Sequence, residues 1–179
     1  LIIRIMKRFA KLFNSLDQTT KIKQKIGALV EYFCSVDDKD RLWAIAILSH
    51  RRPRRTVRTS LLREWAAEYA TIPLWLFEES YHIVGDLAET IALVLPPPIT
   101  QHGVSLTEWI DVIKSLDKQE EGFKKKAVLD AWQGLNYEEC FVFNKFVAFK
   151  LFFKETKGIK KLQFYNWSFK IFNKEFIVL

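Results

Sequence analysis

The residues best suited to chemistry lie in one short run. Arg51-Arg52-Pro53-Arg54-Arg55-Thr56-Val57-Arg58 places five guanidinium groups within eight residues. Guanidinium forks bind phosphate oxygens two at a time, and such contacts supply most of the sequence-independent affinity for duplex nucleic acid. On charge alone, a solvated loop whose arginines pair with acids elsewhere is an equally good reading. A second run, Lys124-Lys125-Lys126, follows Glu120-Glu121 and reads first as a solvated helix face. Gly85 and Asp86, with Glu89 three residues on, open a helix whose first N–H groups are free to take a phosphate; a plain helix-linking glycine is the simpler alternative.

Spacing excludes most other chemistry. The six glycines, at 27, 85, 103, 122, 134 and 158, are too far apart for a phosphate-cradling Walker loop or a dinucleotide fingerprint. His50, His82 and His102 form no H-E-x-x-H, and Ser80 and Ser105 lack the G-x-S-x-G elbow. Glu78 and Glu79 are adjacent, so on a helix they diverge and make a poor glycosidase pair. Cys34 and Cys140 make neither a zinc ligand set nor a disulfide framework, which fits a reducing intracellular compartment. No catalytic, cofactor-binding or metal-ligating residue is expected in this chain.

The elements that hold these residues read as helices throughout. The 179 residues are 49% hydrophobic and 27% charged, enough for one domain with a real apolar core. Apolar residues recur at three and four in Phe9, Leu12, Phe13 and Leu16, and again in Ile22, Ile26, Leu29, Val30 and Phe33, with a break near Asp17 to Thr20. Asp37 or Asp38 caps a helix carrying Leu42, Trp43, Ile45, Ala46 and Leu48, and Pro53 keeps the arginine run from being helical throughout. Leu61, Leu62, Trp65 and Tyr69 mark the next helix. After Pro73 come Leu74, Trp75, Phe77 and Tyr81, and Asp86 starts a helix through Leu95. Pro96-Pro97-Pro98 must run extended. Ser105-Leu106-Thr107-Glu108 is a capping box, a helix over Lys124 to Trp132 stops at Gly134, and Asn136 with Glu139 caps another. The expectation is an all-α, compact domain of about nine helices. Two lobes, about 6–95 and 105–145, flank the proline spacer. Trp43, Trp65, Trp75, Trp109 and Trp132 fall on apolar stripes and are expected in the core, with His82 on a helix face beside Tyr81.

Charge is uneven along the chain. The net charge is +7, but residues 1–140 carry 20 basic against 19 acidic side chains, whereas 141–179 carry eight Lys against Glu155 and Glu175. The last 39 residues also hold ten of the fifteen Phe, so 146–179 is set apart as an atypical Lys/Phe-rich tail. Lys145, Lys150 and Lys154 interrupt its apolar run well short of the roughly 20 residues a bilayer requires, so no transmembrane span is expected. No membrane partner is expected either, with binding of the Lys/Phe tail to an anionic membrane surface as a third reading. The single Met is Met6, and residues 1–5 are expected to precede the natural start.

The stretch Pro73-Leu-Trp-Leu-Phe-Glu-Glu-Ser-Tyr81, then Val84-Gly-Asp-Leu-Ala-Glu-Thr-Ile-Ala-Leu-Val-Leu-Pro-Pro-Pro98, resembles the N-terminal DNA-binding domain of ATP-dependent DNA ligases, particularly the bacterial form. Met6-Lys-Arg-Phe-Ala-Lys-Leu-Phe13, Pro53-Arg-Arg55, Leu61-Leu-Arg-Glu-Trp-Ala66, Lys124-Lys-Lys126 and Phe141-Val-Phe-Asn-Lys145 extend the resemblance over about residues 6 to 145. It implies a helical domain that docks on the minor groove of nicked duplex DNA in support of repair, replication and recombination. It also implies a bacterial cytoplasmic, nucleoid-associated setting and a monomer. Phosphate contacts would fall to Arg51, Arg52, Arg54, Arg55, Arg58, Lys124, Lys125, Lys126 and Lys145, with Gly85 at a helix start.

The chemistry of that family resides in a nucleotidyltransferase domain, with an oligonucleotide-binding-fold domain beside it. A lysine in K-x-D-G takes AMP from ATP and passes it to the 5′ phosphate, and the 3′ hydroxyl displaces it with a divalent metal present. No Asp-Gly dipeptide occurs in this sequence, so ATP and the metal are implied for a longer parent and no cofactor is expected here. The family's Thr/Ser-Gly-x-hydrophobic-Arg-hydrophobic-Gly loop is replaced by Phe146-Val-Ala-Phe-Lys-Leu-Phe-Phe-Lys154. The Phe, Lys, Asn and Ile bias of the tail suits a frameshifted or truncated product, with a genuine divergent tail of amphipathic or strand-forming character as the alternative, and the lost loop implies weakened DNA affinity. The rival reading is a helical protein-interaction scaffold whose aromatic stripes bind a partner.

Overall fold

A computed structural model of the chain describes residues 5–49, 55–99 and 103–148. Among these the fold is all-α, with nine helices: α1 (Ile5–Gln18), α2 (Ile22–Ser35), α3 (Asp38–Leu48), α4 (Thr59–Tyr69), α5 (Leu74–Val84), α6 (Leu87–Val94), α7 (Leu106–Ser115), α8 (Glu121–Trp132) and α9 (Tyr137–Ala148). Local capping chemistry sets several starts. Asp37 accepts from the Asp40 N–H at 2.9 Å, and Ser105 and Glu108 form the reciprocal capping box of α7. Asn136 and Glu139 exchange hydrogen bonds of 3.1 and 3.0 Å at the start of α9.

The core is organised around α9, which packs on α6, α1 and α7. Val142, Phe143, Asn144, Phe146, Val147 and Ala148 are all buried, so this helix is enclosed nearly all round. Phe146 lies 5.9 Å from Phe9, Phe141 5.7 Å from Phe13 and Phe143 5.2 Å from Trp109, ring centroid to centroid. Trp132 Nε1 donates to Asn144 Oδ1 at 3.1 Å, which satisfies two polar groups in the interior. Helices from both sides of Pro96–Pro98 therefore contribute to one core, and the prolines separate the two lobes in sequence but not in packing. The boundary at Lys145 falls within α9, because Phe146, Val147 and Ala148 continue the helix inward. Residues 149–179, and with them nearly all of the Lys/Phe-rich tail, lie outside the described residues.

Periodicity misplaces several apolar residues. On α3 the inward face is Asp40, Ala44 and Ile47, whereas Leu42 is exposed and Trp43, Ile45, Ala46 and Leu48 are only partly buried. The helix is apolar on more than one face, and α7 selects which one is covered. Ile22 and Ile26 are exposed because α2 meets α1 mainly through its later half, where Leu29, Tyr32 and Phe33 are buried and Phe9 and Lys11 contact Tyr32 and Glu31, away from the turn that joins the two helices. Trp65, Trp109 and Trp132 are buried as expected and Trp43 is half-buried beneath Lys114, but Trp75 is 66% exposed. On α5 only Phe77 points fully inward, toward α4 and α6, and Trp75 lies on the outer side.

Candidate nucleic-acid interface

Arg51, Arg52 and Arg54 lie outside the described residues. The end of the basic run is anchored by burial: Thr56 and Val57 turn inward, while Arg55 and Arg58 on either side are exposed. Arg58 is the N-cap residue of α4, in extended conformation, with no side-chain cap of its own. Its guanidinium reaches across to the first residue of α8, Arg58 Nη2 to Glu121 Oε2, at 3.3 Å. One turn further along α8, Lys125 Nζ meets Glu68 Oε2 of α4 at 2.7 Å. The tertiary fold thus brings Arg58 to the same seam as the lysine run, although more than sixty positions separate the two in sequence, and Arg55, itself exposed, precedes Arg58 by three residues in the chain leading into α4. Lys124 is partly buried and Lys126 exposed, and neither makes an ion pair among the described residues; the same holds for Arg55.

Gly85 and Lys145 meet elsewhere, at Asp86. Gly85 has φ +77°, the left-handed conformation, and ends α5 with its N–H on the Tyr81 carbonyl at 2.8 Å. Asp86 caps α6, one oxygen accepting from Glu89 N–H at 3.1 Å and the other held by the Lys145 ammonium of α9. Lys145 is mostly buried and also lies 5.1 Å from the Phe141 ring centroid. A carboxylate therefore already occupies the positive end of α6, and Gly85 has the geometry of a helix-linking turn.

Sequence reasoning missed the acidic partners Glu68 and Glu121, since nothing in the local pattern marks which acids will face the cations. It also missed a cleft of ≈ 310 Å³ between α1 and α2, lined among others by Arg8, Lys11, Ser15, Glu31 and Tyr32. There Lys11 pairs with Glu31 at 2.9 Å, and burial, with Asp40 and Asp37 nearby, pushes the Tyr32 hydroxyl well above its ordinary range. Among the described residues no cluster of three or more His, Cys, Asp or Glu has the arrangement of a metal site, and no helix is long and apolar enough to cross a membrane.

The seam between α4 and α8 presents a guanidinium and an ammonium group, of the kind that donate to carboxylate or phosphate oxygens, each meeting a glutamate from the facing helix. No curated protein matches the chain. The family whose description is DNA ligase N terminus matches residues 6–152, a span that takes in all nine helices apart from the first residue of α1 and both basic runs, and the chain belongs to that family.

Proposed function

We propose that this chain binds nicked duplex DNA through backbone phosphates and the minor groove, as the DNA-binding part of a bacterial ATP-dependent DNA ligase. The observation that carries the proposal is the Arg58–Glu121 contact, which joins the arginine loop and the lysine run into one basic seam in a chain of the ligase N-terminal family. Arg55, Arg58, Lys124, Lys125 and Lys126 are the phosphate contacts of this proposal, joined by Arg51, Arg52 and Arg54, which belong to the same basic run of sequence and lie outside the described residues. Adenylation and nick sealing, in repair, replication and recombination, belong in this proposal to nucleotidyltransferase and oligonucleotide-binding-fold domains that use ATP and a divalent metal. The chain acts as a monomer in the bacterial cytoplasm, at the nucleoid.

The test is fluorescence anisotropy of a labelled nicked duplex across salt concentrations, with intact duplex as competitor. Affinity should fall on the order of tenfold or more between about 50 and 200 mM salt if a few phosphates are neutralised. Absence of binding at low salt overturns the proposal. One observation favours the rival scaffold reading: Trp75 and Ile83 of α5 are 66% and 85% exposed, large apolar side chains left outside the core. A protein partner on this helix would bind with little dependence on salt.

A further inference from the structure

The two best-positioned cations of the α4–α8 seam are not free. Arg58 is fixed by the backbone at the N-cap of α4, and Lys125 sits on the second turn of α8. Each is held by a glutamate from the facing helix, Arg58 by Glu121 at 3.3 Å and Lys125 by Glu68 at 2.7 Å. A carboxylate presents to a guanidinium or ammonium the same kind of acceptor oxygens as a phosphodiester. Glutamate and phosphate are therefore alternative partners for the same N–H groups. Both glutamates are more than half exposed, at 66% for Glu68 and 56% for Glu121, and exposed ion pairs add little net stability. A phosphate can displace either of them, and the displaced carboxylate then stands beside the DNA backbone as a like charge.

We infer that Glu68 and Glu121 are resident competitors of the phosphate backbone, which hold Arg58 and Lys125 in the free protein and lower the affinity of the seam for duplex DNA. This inference rests on the DNA-binding reading proposed above. It assigns a binding role to two acidic residues that a census of basic side chains would pass over. It also separates the cations into two groups: Arg55, Lys124 and Lys126 are available at first encounter, and Arg58 and Lys125 engage only after an exchange of partners.

The test compares the full chain with Glu121→Gln, Glu68→Gln and the double variant, by anisotropy of a nicked duplex over a salt series. Glutamine keeps the shape and removes the charge. Each single change should tighten binding about two- to fivefold at low salt, the range of one exposed ion pair. Where a cation that made no phosphate contact is freed, the log–log salt slope should steepen by about one. A double-mutant cycle isolates the mechanism: in an Arg58→Ala background the gain from Glu121→Gln should fall by at least half, because the cation it releases is absent. Thermal melts confirm that the variants fold. If wild type binds and the glutamine variants do not bind more tightly, the inference is overturned while the DNA-binding reading stands. A Glu121→Gln gain that survives intact without Arg58 overturns it equally, since the effect is then a diffuse field. If neither wild type nor any variant binds at low salt, both readings fail together.

Discussion

Asp40 closes the N-terminus of a helix 67 positions away: its carboxylate accepts from the Thr107 N–H at 2.9 Å, and also from the Leu106 N–H and the Thr107 hydroxyl. Ser105 serves the third N–H of α7, so the first three donors of that helix are all satisfied. Asp40 is fully buried, and its own N–H is taken by Asp37, which makes one chain of polar contacts from the cap of α3 to the start of α7. Asp40→Ala strands the buried donors of α7 and should lower stability by about 2–4 kcal/mol. Thr107→Val, which removes only the hydroxyl contact, should cost about 1 kcal/mol. Urea denaturation of both variants checks the order, and equal losses would show that the backbone donors find other partners.

Gly85 is the one glycine among the described residues with positive φ, at +77°, and a Cβ built there meets no atom within 4 Å. Any cost of Gly85→Ala is therefore backbone strain rather than collision. The variant should lose roughly 1–2 kcal/mol, and Gly85→Asn less, since asparagine tolerates the left-handed region. Denaturant midpoints for the two variants decide the matter, with unchanged values speaking against the left-handed turn.

Burial pushes the Cys140 thiol from its ordinary value near 9 up to about 12, with the Asn144 hydrogen bond opposing the shift. The folded state thus keeps a proton that the unfolded chain releases. Stability from this thiol is complete below about pH 9 and is lost as pH rises from 9 toward 12. The drop in urea midpoint between about pH 8 and about pH 10.5 should be smaller in Cys140→Ala than in wild type. Tyr32, shifted upward by burial, adds to the alkaline loss in both proteins. A thiol reagent should label exposed Cys34 in the native protein and Cys140 only after unfolding.

Two tryptophans at opposite extremes of exposure should respond oppositely to substitution. Trp75→Ser, at a 66% exposed site, should change stability by about 0.5 kcal/mol or less. Trp132→Phe removes the donor to buried Asn144 and should cost about 1–3 kcal/mol. Thermal melts of both measure this, and a large loss at Trp75 would place that ring against other parts of the chain.

Local patterns carried much of the architecture. The helix starts at Asp37, Asp86, Ser105 and Asn136 were legible because capping chemistry spans three or four residues and depends on nothing distant. The inward positions of Phe9, Leu12, Trp109 and Ile113 were legible because their helices have one dominant apolar stripe. That Arg58 and Lys125 both pair across the α4–α8 seam was not legible locally, since charge runs do not state their partners.

By itself the sequence determined that the chain is helical, where many helices begin, and that cations concentrate in two runs, because periodicity and capping are written in near neighbours. The tertiary structure alone decided which face of an ambiguous helix is covered: Ala44 and Ile47 rather than Leu42 on α3, and Phe77 rather than Trp75 on α5. It alone paired Arg58 with Glu121, Lys125 with Glu68, Lys145 with Asp86 and Asp40 with Thr107. The physical reason is common to all of these. Burial and ion pairing depend on which surfaces the packed core brings within a few ångströms, and residues some sixty positions apart acquire that proximity only when the helices pack around α9.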